Sequence, residues 1–182
     1  MYLKRILIAA AAFLISVPVW AQQNPTVQQK GESLMLDWPD NEHWQVGSNQ
    51  ENDELQMLEL IPENQTLQNW TEMGNMMSIK GAVGVPVDAA MNMMYEQAKQ
   101  ASSKAKLTFI EKDEKAEYPW ILFTIESENY DDGSGPESQL WYIVQGKTAL
   151  YANFRAVKKA NISKEQKEKW VRFFKTAKVV NM

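Results

Sequence analysis

From Trp44 onward the chain switches between two hydrophobic periods, and the switch points mark its elements. Trp44 and Val46 alternate with Gln45, and Leu55, Met57 and Ile61 resume the alternation toward Pro62. Gln50-Glu51-Asn52-Asp53 lies between them as a turn, so the two runs read as an antiparallel hairpin. Thr66 to Trp70 reads as a tight turn or short helix. Thr71 to Lys80, with Met73, Met77 and Ile79 on one face, is a third strand. The period then lengthens. After Gly81 and Gly84, Pro86 suits a first helical turn, and Val87, Met91, Met94, Tyr95, Ala98 and Ala101 recur at three- and four-residue spacing, predicting a helix to about Ser103.

Four short runs rich in aromatic and β-branched residues follow: Lys106 to Glu111, Trp120 to Ile125, Gln139 to Gln145 and Thr148 to Val157. They read as strands, the last two joined through Gly146, taken as a position that wants positive φ. Ser163 and Gln166 have the spacing of a capping box, and Trp170, Phe173, Phe174 and Ala177 supply an apolar stripe, predicting a closing helix from Ser163 to about Lys178. In the central strands Ile121, Phe123 and Ile125 face one way while Trp120 and Leu122 face the other. Two apolar faces ask for cover on both sides. The expected fold class is therefore α+β, an α/β/α sandwich on a mostly antiparallel sheet.

The N-terminus changes the picture of where such a domain works. Lys4 and Arg5 precede an apolar run from Ile6 to Trp20 that ends at Val19-Trp20-Ala21, the layout of a secretory signal peptide cleaved near Ala21. A spanning helix needs about 20 residues, so a retained transmembrane anchor is not expected in the mature protein. Residues 22–32 read as a polar leader and 33–182 as a single domain. The chain has no cysteine, which excludes disulfides, thiol catalysis and lipid attachment at a processed cysteine. Loss of Lys4 and Arg5 leaves 17 basic residues against 23 acidic ones, a net charge of −6, which argues against nucleic acid. Secretion or a periplasmic location is expected.

Glu59-Leu60-Ile61-Pro62, followed by Thr66-Leu67-Gln68-Asn69-Trp70-Thr71-Glu72-Met73, resembles a segment of small secreted bacterial proteins of the PsbP-like fold. The strand order, middle helix, late hairpin and aromatic closing helix extend the resemblance over roughly residues 33–180. It implies the α/β/α sandwich and non-enzymatic docking to a partner. It transfers no functional residue, because fold does not determine function.

Candidate chemistry narrows by elimination. His43 is the only histidine, so neither a histidine-rich zinc centre nor a serine triad with a G-x-S-x-G elbow is supported. No Walker loop or G-x-G-x-x-G fingerprint occurs. Carboxylate pairs such as Glu59 and Glu72, or Glu126 and Glu128, leave a carboxylate-based hydrolase as a third reading. Asp131, Asp132 and Glu137, in a glycine-bearing loop, are candidate calcium ligands. Met73, Met76 and Met77, with Met91, Met93 and Met94, have the soft thioethers that suit copper(I).

Two features point instead to a surface that binds. Trp38 and Trp44 flank Pro39-Asp40-Asn41-Glu42-His43, a place for an aromatic platform with His43 as a hydrogen-bonding neighbour. Residues 158–178 hold eight Lys or Arg against two Glu, with Lys164, Lys167, Arg172 and Lys175 on the closing helix. The leading expectation is a non-catalytic domain that docks to a protein or cell-envelope component, uses no cofactor and is not an enzyme. A small-ligand or metal-binding periplasmic module, for calcium or copper, is the alternative.

Overall fold

A computed structural model describes residues 31–181. Residues 1–21, read as a signal peptide, and residues 22–30, read as part of the leader, lie outside the described residues. Within them the chain forms β1 (Glu32–Met35), a 3-10 turn (Asp40–Glu42), β2 (Trp44–Glu51), β3 (Leu55–Pro62) and β4 (Glu72–Lys80). Then come α1 (Val87–Ala101), β5 (Lys106–Asp113), β6 (Trp120–Ser127), β7 (Glu137–Gln145), β8 (Ala149–Val157), α2 (Lys164–Phe174) and β9 (Lys178–Asn181).

Seven strands make one sheet in the order β2-β3-β4-β8-β7-β6-β5, and every neighbouring pair is antiparallel. β8 is its middle strand, and all nine of its residues are buried. β1 and β9 form a separate antiparallel ribbon in which Leu34 faces Val179. Register sorts the side chains into two faces. Leu122, Tyr142 and Asn153 are successive partners across β6, β7 and β8, as are Phe123, Trp141 and Phe154 on the other face.

The first face is covered by α2, whose Trp170, Phe173 and Phe174 join Leu122, Leu140, Tyr142, Val144 and Leu34 in one cluster. The second face carries α1. Ser102, at its C-terminal end, shares a buried 2.6 Å hydrogen bond with Ser127, and the Val85 N–H ahead of it donates to the Gln145 side chain at 2.9 Å. Among the described residues no helix is long and apolar enough to cross a membrane.

The expected α+β fold, an α/β/α sandwich, is corrected: among the described residues the protein is mostly β, with two α-helices against nine strands. A helix about 10 Å across spans about two strands spaced about 4.8 Å apart, so one helix per face cannot form a layer over seven strands. The apolar positions that asked for helical layers find other cover. On the α2 face the β1–β9 ribbon and the Trp38 segment supply it, with Leu36, Trp38 and Val179 packed against the cluster.

Three local expectations also change. Pairing begins at Glu32, inside the segment read as a leader. The closing helix stops at Phe174 rather than Lys178, because Thr176 turns back through N–H and hydroxyl donors to the Phe173 carbonyl, and Val179 and Val180 then pair with β1. Gly146 does not have positive φ. Its role is room: a Cβ there would meet the Glu32 carboxylate at 2.6 Å and the Tyr151 ring at 2.8 Å.

Candidate functional site

Arg155 is a cation on an otherwise uncharged, wholly buried strand, and a strand in that position cannot leave a charge unanswered. It projects to the α2 face between Leu140 of β7 and Gly74 of β4 and is 1% exposed. Four rings enclose it. Its guanidinium carbon lies 5.0 Å from the Trp44 and Trp170 ring centroids, 5.5 Å from Phe173 and 5.6 Å from Trp38. Such contacts gain strength when the cation is desolvated. Its Nη2 pairs with Glu42 at 2.7 Å and with Glu72 at 3.5 Å. Nε and Nη1 have no hydrogen-bond acceptor, so the aromatic rings are the remaining partner of the charge.

The rings come from three parts of the chain. α2 contributes Trp170 and Phe173 from its buried stripe. Ser163 caps α2 by accepting from the Gln166 N–H at 3.2 Å, but the Gln166 side chain does not complete the capping box. It donates to Glu72 at 3.0 Å and so ties the helix to β4. The segment between β1 and β2 contributes Trp38 and the start of β2 contributes Trp44, the two rings stacked edge to face at 5.2 Å. Trp38 also packs on Phe173 at 4.8 Å and donates its indole N–H to the Met76 sulfur at 3.2 Å. Gly74 lies beneath Trp38, where a Cβ would stand 2.1 Å from the indole.

Glu42 holds this segment down. Its Oε2 accepts from Arg155 and, at 2.9 Å, from the Trp44 indole, while Oε1 meets the Lys169 ammonium at 2.6 Å. Burial works against its charge, but Lys169, Trp44 and Arg155 together prevail and hold its carboxyl at about 2. Glu42 is thus ionised at neutral pH and fully engaged. His43 follows in the left-handed conformation, φ 50°, with its carbonyl accepting from the Glu63 N–H at 2.9 Å. Its side chain is exposed. An open recess of about 430 Å³ lies here, lined by Glu42, His43, Pro62, Glu63 and Asn64.

The structure therefore brings Trp38 and Trp44 into contact, both half-buried, while the exposed His43 borders a recess that neither indole lines. The helix cations do not form a continuous stripe. Lys175 is paired with Glu111 and stands 5.6 Å over the Trp120 ring, Lys164 makes a 4.0 Å contact with Glu168, and Glu165 shares the helix. Arg172 is exposed and Lys167 half-buried. Lys175 borders a second open groove of about 400 Å³ floored by Trp120 and Tyr142 and walled by Leu34, Tyr118 and Val179. Burial raises the Tyr142 hydroxyl to about 12, so it stays protonated.

Asp131, Asp132 and Glu137 do not converge. Asp131 accepts from Ser103, Asp132 from the Ser134 N–H at 2.8 Å, and Glu137 pairs with Lys158 at 2.6 Å. Among the described residues no group of three or more His, Asp or Glu side chains is placed to hold a metal. The M-x-x-M-M run is divided by the strand period: Met76 points to the α2 face with Trp38, and Met73 and Met77 point to the other. Glu59 and Glu72 likewise fall on opposite faces. Glu59 is raised by burial, against a hydrogen bond with Ser48.

Arg155, Glu42 and Lys169 were not singled out from the sequence. The signal for Arg155 was present, since A-L-Y-A-N-F-R-A-V is a strand whose one charge falls among apolar neighbours. Which acid and which rings answer it could not be read, because Glu42 is 113 residues away along the chain and Trp38 lies farther still. No family model matches the chain, and no curated protein matches it in sequence.

Proposed function

We propose that this domain is an exported, non-catalytic docking module that binds a protein or cell-envelope component through Trp38, His43 and Trp44. The observation that supports it is the indole pair: half-exposed at the surface, yet fixed from below by Arg155, Glu42 and Gly74. Interfaces draw most of their affinity from a few aromatic anchors, and an anchor that is already ordered loses little entropy on binding. Val46, 59% exposed, extends the same face of β2 beside Trp44. Export is supported by the basic-then-apolar pattern of residues 4–21.

The test uses the chain as a bacterial host produces and processes it, immobilised and exposed to envelope extract. Capture is compared with that of Trp44→Ala, and near-UV circular dichroism monitors the fold. A component recovered at least about tenfold less by the variant, equivalent to about 1.4 kcal/mol, supports docking through the indoles. Equal recovery by both proteins overturns this reading.

A further inference from the structure

The seven-stranded sheet has two open edges, β2 and β5, and the chain treats them differently. β5 reads K-L-T-F-I-E-K-D, four charges in eight residues. β2 reads W-Q-V-G-S-N-Q-E, with no charge before its last residue. That residue, Glu51, is neutralised by Lys80 at 2.7 Å. An edge strand presents unpaired N–H and C=O groups, and charged side chains are the usual means of keeping another strand away. β5 has that guard and β2 lacks it.

We propose that β2 is a self-pairing edge, along which a second copy of this chain adds its own β2 antiparallel to form a twofold dimer with one continuous sheet. Three observations favour a second copy as the occupant. Gln45–Gln50 is a neutral stretch, so two copies of a chain with net charge −4 can bring their backbones together there without opposing like charges. Antiparallel self-pairing of Gln45–Gln50 sets only amides, a hydroxyl, Val46 and Gly47 against one another, so no like charges meet. Val46 is 59% exposed on a strand that has a partner on one side only, and pairing would cover it. The bulge at Val46/Ser48 lies within this stretch and bends it, and beyond it Ser48 to Glu51 run in regular register with Glu59 to Gln56. A closed twofold contact also explains how an unguarded edge avoids open-ended association: once two β2 strands pair, neither is free.

Sedimentation velocity on the processed chain, from about 1 to about 100 μM, tests this over the range of micromolar dissociation constants. Wild type sediments as a dimer at the upper end. Val46→Lys and Asn49→Lys, two exposed positions on β2, each weaken dimerisation at least about tenfold, whereas Thr108→Lys on β5 leaves it unchanged. Circular dichroism confirms that all three fold. A wild type that is monomeric throughout overturns the proposal. So do β2 variants that associate like wild type, or a Thr108→Lys variant that weakens as much as they do. None of these readings depends on an envelope partner, so failure here is distinct from failure of the docking test.

Discussion

Gly74 and Glu42 each position one of the two indoles, Trp38 and Trp44. Beneath Trp38 there is no space for even a methyl group, so Gly74→Ala must lift the indole from β4 and disturb its contact with Met76. A loss of about 1–3 kcal/mol is expected in urea unfolding, with a change in tryptophan emission before the main transition. Glu42 acts through charge. Because its folded-state value of about 2 lies below the ordinary 4.5, its contribution to stability is present above pH 4.5 and disappears as pH falls from 4.5 toward 2. Glu42→Gln should lower stability at pH 7 by about 2 kcal/mol and flatten the fall of thermal midpoint across that acid window. An equally steep fall in the variant would show that other carboxylates govern acid unfolding. At this scale the sequence was partly legible: Trp38, His43 and Trp44 could be picked out as neighbours along the chain. Arg155 could not be joined to them, since only strand register places β8 beneath the 38–44 segment.

Elements with a strong period were read nearly in place. β2, β3, β4, β5, β6, β7, β8 and α1 overlap the runs that predicted them, because alternation and three-to-four spacing are local properties. The ribbon was not read. β1 and β9 are four residues each, too short to show a period, and each is a strand only because the other is opposite it. The ribbon nonetheless buries Leu34 to 6% exposure and closes one side of the α2 cluster. Removing residues 178–182 should therefore deprotect the alternate β1 amides that face β9 in hydrogen exchange and cost about 2 kcal/mol, the scale of exposing one large aliphatic side chain. Retained protection at β1 would mean that it is held from the sheet side, through Glu32 and the Thr148 N–H, rather than by β9. The helix end was misplaced for a related reason. Lys175 to Lys178 is compatible with helix, and the pull of β1 on Val179 and Val180 lies outside any window centred on α2.

For the whole molecule, an order that runs β2-β3-β4 and then jumps to β8 puts the late hairpin at the centre and leaves β2, charged only at its last residue, at one rim. That topology gives the proposed docking and the proposed self-association separate surfaces, the indoles and the backbone edge of β2, joined at Trp44. If the dimer forms, two indole pairs belong to one particle, and a partner with repeated sites gains avidity without any new contact. By itself, the sequence determined approximately where the seven sheet strands and the two helices lie and which side chains must leave water, since both follow from local geometry and the cost of exposing apolar surface. It also showed that thiol and histidine-rich metal chemistry are excluded, because the residues are missing. Only the tertiary structure decided how the two apolar sheet faces are covered, with one helix on each and a terminal ribbon completing the α2 face. It also decided which acids answer Arg155 and which methionines part company. Those outcomes depend on pairing between strands far apart in the chain, and a one-residue change of register would send every one of these side chains to the opposite face.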